Sequence, residues 1–491
     1  LLSVVEQTRL KVSRRTDAKK KSQLGQFFTP AKTAQFMASL FTAQGNWDCR
    51  LLDAGAGIGS LSSAFLERCI DGELRFKMIK VTAFELDSLI HKELNDAFSS
   101  YKNILSLDYE ILGGDFIEQA VNNIQFGSGK VYTHAILNPP YKKISSNSLH
   151  RLLLRQAGIE TVNLYSAFVA LALEMMSLGG QVVAIIPRSF CNGPYYRTFR
   201  DFVLERAAIR HMHLFDSRSK AFKDDDVLQE NIILLLERGG QQGDVIVTTS
   251  TDDSFIDLIT HTHPFNRIVL PSDPERFIHV PTSVECNAIE LSSSIHCSLE
   301  DIGINVSTGP VVDFRLKEHL RDMPEPGAVP LLYPSHFNSS AMTWPQAGMK
   351  KCNAIQRNSE TEKWLYPNGF YCVVRRFSSK EERRRVMAGV VDPALFDGAT
   401  VLGFENHLNL FHENKRGLPQ ALARGLAVFL NSTVVDDSFR RFSGHTQVNA
   451  TDLKQMKYPS RTTLIELGEW AMQQDELTQT LIDNKLGTLI A

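Results

Sequence analysis

Between about residues 50 and 240 the chain alternates short apolar runs with longer amphipathic stretches. Runs such as Val182-Val183-Ala184-Ile185-Ile186 and Ile232-Ile233-Leu234-Leu235-Leu236 are apolar at every position. That is the pattern of strands covered on both faces, and the runs are far too short to span a bilayer. Seven strands are predicted: Arg50–Ala54, Val81–Leu86, Tyr109–Gly113, Ala135–Leu137, Gln181–Pro187, Ile209–Phe215 and Asn231–Glu237. Helices are predicted over Leu61–Ile70, Leu89–Ser99, Val162–Ser177 and Arg197–Arg206. Such alternation implies an α/β fold, a Rossmann-like, doubly wound and mostly parallel seven-stranded sheet with helices on both faces. After Gly239-Gly240-Gln241-Gln242-Gly243 the pattern gives way to scattered aromatics and turn residues, and the last stretch, about 460–488, reads as helical.

A chain of 491 residues is too long for one ordinary core. Three regions are expected: a basic N-terminal arm (1–24), an α/β domain (25–245) and a mixed α+β domain with a C-terminal helix (246–491). The arm carries Arg9, Lys11, Arg14, Arg15 and Lys19-Lys20-Lys21, and reads as a phosphate contact or, slightly better, as a flexible solvated segment. The seven cysteines are scattered and form no C-x-x-C pair, which argues against a zinc site or disulfide framework and for a reducing, cytoplasmic setting. No secretory pattern is evident at Leu1-Leu2-Ser3-Val4. With a formal net charge of only -2, a nucleic-acid partner would have to be met by local basic patches.

The first predicted strand runs into Asp53-Ala54-Gly55-Ala56-Gly57-Ile58-Gly59. Glycines after a strand let the backbone turn sharply and approach a ligand closely. Taken alone, this loop is equally a tight turn or a dinucleotide site. Asp53 stands where a positively charged ligand group can be met, Glu85 ends the second strand where a carboxylate can grip two ribose hydroxyls, and Asp115 closes the third in Gly113-Gly114-Asp115-Phe116. A carboxylate at a strand end is often only a helix cap. Acids at three successive strand ends favour adenosine recognition.

Leu137-Asn138-Pro139-Pro140-Tyr141 ends the fourth strand, beside the first in a sheet whose order reverses there, so both loops flank one crevice. An exocyclic amine on an aromatic base is a poor nucleophile because its lone pair is delocalised into the ring. The Asn138 side-chain oxygen and the Pro139 carbonyl can each accept one of its N–H bonds and localise that lone pair. The prolines hold these acceptors in place in advance, and Tyr141 offers a π face. A base brought to such a pocket must leave its duplex, which calls for a second aromatic. Ile186-Pro187-Arg188-Ser189-Phe190-Cys191-Asn192-Gly193-Pro194-Tyr195-Tyr196 supplies candidates, each of which also suits core packing.

The ordered set Gly25-Gln26-Phe27-Phe28-Thr29-Pro30, Asp53-Ala54-Gly55-Ala56-Gly57, Glu85, Asp115-Phe116, Asn138-Pro139-Pro140-Tyr141 and Pro187-Arg188-Ser189-Phe190 resembles the gamma class of amino-methyltransferases. More closely it resembles the PstI/BsuBI-type adenine methyltransferases of Type II restriction–modification systems. The resemblance implies a class I S-adenosylmethionine-dependent catalytic domain over 25–245 and a target-recognition domain over 246–491. It implies that Phe28, Thr29 and Pro30 pack over the methionine part of the cofactor and that Asp53, Gly55 and Gly57 form the glycine loop. Glu85 then holds the ribose, Asp115 and Phe116 contact the cofactor adenine, and Asn138, Pro139, Pro140 and Tyr141 are catalytic. Tyr196 best matches the residue stacking on the far side of the base, with Tyr195 a near alternative. The implied activity is methyl transfer to N6 of a flipped adenine in double-stranded DNA, without a metal. A separate cognate endonuclease, and the choice between monomer and dimer, stay open.

Arg375-Arg376 and Arg440-Arg441 are candidate DNA contacts, able to neutralise phosphates or meet guanine edges. The run around Lys380–Arg385 reads either the same way or as a solvated surface helix. Two stretches, 307–314 and 444–449, look family-like without assignable chemistry. Other readings compete. Protein glutamine methyltransferases share the tetrapeptide but need neither Phe28-Thr29-Pro30 nor so long a C-terminal half, and cytosine-N4 enzymes more often carry Ser-Pro-Pro. Asp397 with Glu413-Asn414-Lys415 scans as a nuclease pattern that is common by chance. A purely DNA-binding specificity protein has no need of a methyl-donor pocket.

Overall fold

The computed structural model describes residues 1–15, 28–42, 48–127, 131–215, 230–271, 273–283, 289, 292–337, 342–378, 381–443 and 446–490. The expected features at 16–27, including Lys19-Lys20-Lys21 and Gly25-Gln26-Phe27, lie outside these residues, as do Lys380, Gly444 and His445. The chain divides into two compact units, Leu1–Val284 and Glu285–Ala491.

The first unit is built on one nine-stranded sheet. Its strands are β1 (Asp48–Ala54), β2 (Met78–Phe84), β3 (Leu107–Leu112), β4 (Tyr132–Leu137), β5 (Met176–Pro187), β6 (Ala207–Phe215), β7 (Asn231–Arg238), β8 (Val245–Ser250) and β9 (Ile259–His263). They lie in the order β3-β2-β1-β4-β5-β7-β6-β8-β9. β1 to β5 are mutually parallel, while β7 runs antiparallel to both β5 and β6. The order reverses at β1 and β4, which pair directly, so the loops leaving their C-terminal ends face one another.

The helices are α1 (Leu2–Arg15), α2 (Ala31–Ser39), α3 (Ser60–Ile70), α4 (His91–Lys102), α5 (Phe116–Phe126), α6 (Leu149–Gln156), α7 (Leu164–Glu174) and α8 (Arg197–Arg206). Helix α7 is apolar all round, with every residue from Tyr165 to Leu173 buried, because it packs inside the core under the sheet. All six residues of β4 are buried, the apolar Ala135–Leu137 together with the polar Thr133 and His134, as in a strand covered on both faces.

The seven expected strands are present with two more, and this moves the boundary. Gly239–Gly243 is the connection from β7 to β8, because β8 pairs in parallel with β6 and β9 closes the edge. Ile268, Val269, Ile278 and Val280 then pack into the same core. The first unit therefore runs to Val284, not to 245. The N-terminal arm also departs from expectation. Residues Leu2–Arg15 are a helix, α1, whose Leu2, Val5 and Arg9 are buried, because this face finds apolar partners on the unit.

Among the described residues the second unit holds three sheets. One orders Asn305–Thr308, Leu408–His412, Tyr371–Arg375 and Ala388–Val391, a second has five strands, and a third pairs Ile295–Cys297 with Tyr458–Pro459. Helices Gln420–Leu430 and Arg461–Met472 cross closely at Gly425 and Gly468, where an added Cβ would stand 1.7 Å from a carbonyl oxygen of the opposite helix. The expected terminal helix is two, Arg461–Met472 and Gln479–Ile490. Residues 381–385 form turns and not a surface helix, because Arg385 is buried. It bonds to Ser378 Oγ at 3.2 Å and Ser443 Oγ at 3.0 Å, and lies over the Phe439 ring. Among the described residues no helix is long and apolar enough to cross a membrane.

Candidate active site

Gly55, Gly57 and Gly59 all take positive φ (82°, 57° and 85°), which side chains with a Cβ rarely adopt. A Cβ on Gly57 would also meet the Phe28 ring at 3.0 Å, and one on Gly55 would lie 3.9 Å from the Asn138 carbonyl oxygen. The glycine loop and the tetrapeptide thus line one crevice, and Phe28 roofs the loop.

Glu85 is tied down by both oxygens. Gly57 N–H donates to Oε2 at 2.7 Å and Asp87 N–H to Oε1 at 2.7 Å. A carboxylate has lone pairs to spare beyond these, so it remains able to accept from two hydroxyls. Burial holds its pKa above the usual carboxylate range, against the two backbone donors.

Asp53 is fully buried. Ser62 donates to its Oδ2 at 2.5 Å, while Oδ1 is buried with no hydrogen-bond partner. Desolvation raises its pKa to about 7. An unpartnered buried carboxylate oxygen is costly unless a donor or cation arrives. Together with the bare glycine loop and Glu85, it fits S-adenosylmethionine, a ligand with an ammonium group, a ribose and an adenine.

Asp115 serves as a helix cap, accepting from Glu118 N–H at 3.1 Å, and its other oxygen lies 2.8 Å from His150 Nε2. Phe116 is buried between Phe84 and Phe168. Pro30 is the cap position of α2.

Asn138 is the first residue past β4. Its Nδ2 donates to Thr29 Oγ1 at 3.0 Å, and Tyr141 Oη donates to its Oδ1 at 3.2 Å, with the Ile185 carbonyl also 3.2 Å from that hydroxyl. Pro139 is buried and Pro140 half-buried. The Tyr141 ring meets Tyr165 edge-on at 6.2 Å, and Tyr165 in turn stacks with Tyr196 at 5.8 Å. Tyr196 Oη accepts from Asn163 Nδ2. Tyr195, by contrast, is 77% exposed. Arg188 forms a buried ion pair with Glu230 at 2.7 Å. Arg200, wholly buried, donates to the carbonyls of Phe190 at 2.9 Å and Gly193 at 2.8 Å, which sets the loop that carries both tyrosines.

Sequence reasoning missed Ser62, His150, Tyr165 and Arg200. Only Ser62, in the helix opening after the glycine loop, had a local signal; the others act through contacts far along the chain. In the second unit, Arg376 donates to the Asn406 carbonyl at 3.1 Å, and Arg440 to Asp436 at 2.7 Å and the Glu382 carbonyl at 2.8 Å. Arg375 is exposed, 3.4 Å from Glu382, and Arg441 lies at the end of the helix Thr433–Phe442. Glu413 pairs with Arg461, and Asn414-Lys415 form a left-handed turn.

Comparison with known proteins finds methyltransferase relatives along the chain. The family model of the Eco57I restriction-modification methylase matches residues 52–222. The Type II methyltransferase M.BsuBI of Bacillus subtilis is 52% identical over 100% of this chain and 98% of its own length. M.PstI of Providencia stuartii is 41% identical over 94% of this chain and 92% of its own. The cryo-EM structure of a DrdV–DNA complex covers 96% of this chain and 59% of its own at 12% identity, with a TM-score of 0.50, a likeness of fold alone. With a methyl-donor crevice in place and identity of this order along its whole length, the chain belongs to the S-adenosylmethionine-dependent Type II methyltransferases of restriction–modification systems, of the PstI/BsuBI type.

Proposed function

We propose that the chain methylates N6 of an adenine turned out of duplex DNA. The observation that carries this reading is the Asn138 amide, held between Thr29 and Tyr141 at the mouth of the crevice. One lone pair of Oδ1 faces Tyr141, and a carbonyl oxygen has a second for the amine N–H. Pro139 supplies the other acceptor, and Pro140 stiffens the turn that presents both. S-adenosylmethionine, when bound by Asp53, Glu85 and the glycine loop, supplies an electrophilic methyl group. The residues of the tetrapeptide need only align the amine and localise its lone pair, which is proximity and preorganised electrostatics.

Tyr141 and Tyr196 are the residues proposed to sandwich the flipped base, since Tyr196 belongs to the same aromatic group through Tyr165. Tyr195, exposed beside it, is the less suited of the two to that stack. Recognition is assigned to the second unit. There Arg375, which is exposed, is a better candidate for phosphate or base contacts than Arg376 and Arg440, which are drawn into the fold. A role in shielding host DNA follows for a member of this family.

Incubation with tritiated cofactor and duplex DNA, followed by hydrolysis to nucleosides, tests the reading. Label is expected in N6-methyl-2′-deoxyadenosine. Label in N4-methyl-2′-deoxycytidine, or in protein, would sink it.

A further inference from the structure

We infer that Thr29 is a positioning residue for the catalytic amide, and that the N-terminal helix holds it in register through Glu6. The inference rests on the reading of Asn138 given above. The terminal torsion of an asparagine is broad, so hydrogen-bond partners set the plane of its amide. For Asn138 one such partner is Tyr141, three residues along the same turn, and another is Thr29, 109 residues earlier. Thr29 is 4% exposed, and its Oγ1 takes the Nδ2–H at 3.0 Å. With Nδ2 tethered there, the plane of the amide is set and Oδ1, which accepts from Tyr141, is held at its opposite end.

The segment that carries Thr29 is itself anchored on both sides. Before it, the Phe28 ring packs with Val5, Ile58 and Ile90. After it, the Ala31 N–H donates to Glu6 Oε2 at 3.1 Å. Glu6 is gripped in turn by Arg9, with Nε at 3.0 Å and Nη2 at 2.8 Å, and Arg9 is 2% exposed. Val5, Glu6 and Arg9 all belong to α1, so a helix that reads as a basic arm is a brace for the active site. The pair gives Thr29 a task separate from covering the cofactor, which Phe28 and Pro30 can perform beside it.

The test compares Thr29→Val, which keeps shape and removes the hydroxyl, with Thr29→Ser, which keeps the hydroxyl. Single-turnover methyl transfer, cofactor Kd and KM for DNA are measured on the full chain, with wild type and Asn138→Ala alongside. Thr29→Val is expected to slow transfer about 10- to 100-fold, with cofactor Kd and KM for DNA within about twofold of wild type, and Thr29→Ser to recover most of the rate. An unchanged transfer rate in Thr29→Val overturns the proposal. So does a rise in cofactor Kd that matches the loss of rate, which would make Thr29 a cofactor ligand only. Should Thr29→Val melt well below wild type, Glu6→Leu, which has no acceptor for the Ala31 N–H, carries the test, with the same fall in rate at unchanged Kd expected and an unchanged rate overturning it. Asn138→Ala separates the two levels: if it retains turnover the underlying reading falls, whereas inactive Asn138→Ala with fully active Thr29→Val removes Thr29 alone.

Discussion

Ser62 donates to Asp53 Oδ2 at 2.5 Å, while the other Asp53 oxygen is buried and unpartnered. Burial pushes the carboxyl up to about 7 from its ordinary 3.8, against the Ser62 hydrogen bonds, which lower it. With the folded pKa raised, the native state holds an extra proton between about pH 4 and 7, and stability falls as pH rises through that window. Asp53→Asn should flatten this part of the stability–pH curve and melt higher than wild type at pH 8 in the absence of cofactor. An unaltered pH profile in urea unfolding would count against it.

The same group predicts a linkage with the cofactor. A cationic ligand beside Oδ1 favours the ionised carboxylate, so binding below pH 7 must expel a proton. Cofactor affinity should therefore weaken by up to about tenfold per pH unit below pH 7 and level off above it. Calorimetric titration in two buffers of different ionisation enthalpy measures the released proton directly.

Glu85 is held by Gly57 and Asp87 before any ligand arrives. Glu85→Gln keeps the shape but loses charge-assisted acceptance, worth roughly 1.5–3 kcal/mol. Cofactor Kd should rise by about 10- to 100-fold, with the rate at saturation affected much less. Equilibrium dialysis with labelled cofactor and saturating kinetics separate the two.

Asn138→Ala should lower transfer by at least about 10²–10³-fold while cofactor Kd stays near wild type. The variant keeps the prolines and Tyr141, so flipping of the base should persist. A 2-aminopurine placed at the target position should still brighten on binding; in Tyr196→Ala the brightening should differ from wild type, and in Tyr195→Ala it should not.

Arg200 is wholly buried and satisfied by loop carbonyls at 190 and 193 and by the Glu275 carbonyl. Arg200→Met leaves those acceptors without donors, at about 1–3 kcal/mol each. Thermal melting should show a drop of several degrees, and the kinetic defect should resemble that of Tyr196→Ala, because the loop bearing Tyr196 loses its anchor.

Much of the fold and of the site is legible in the chain itself, for local reasons. Strands β5 and β7 announce themselves through the unbroken apolar runs Val182–Ile186 and Ile232–Leu236, as a strand stretch buried on both faces favours apolar residues. The glycine loop is legible because positive φ at 55, 57 and 59 excludes most other residues. Asn138 to Tyr141 is legible because amine chemistry needs those acceptors on a rigid turn. The boundary at 284 is not, since a glycine-rich turn within a sheet looks the same as one between domains. Nor is the use made of the arginines. Arg376, Arg385 and Arg440 are basic in sequence, yet the fold sets them against the Asn406 carbonyl, the Ser443 hydroxyl and the Glu382 carbonyl, which come from distant segments.

The sequence alone determined the reaction's parts: a loop without side chains, acids at strand ends, and an asparagine between a strand and two prolines. Each is a property of a few adjacent residues and of the backbone they permit. The tertiary structure alone decided how those parts are aimed. Thr29 reaches Asn138 across 109 residues, and α1 braces Thr29 through Glu6. Such contacts depend on where packing brings the chain back on itself, and neither propensity nor spacing encodes that distance.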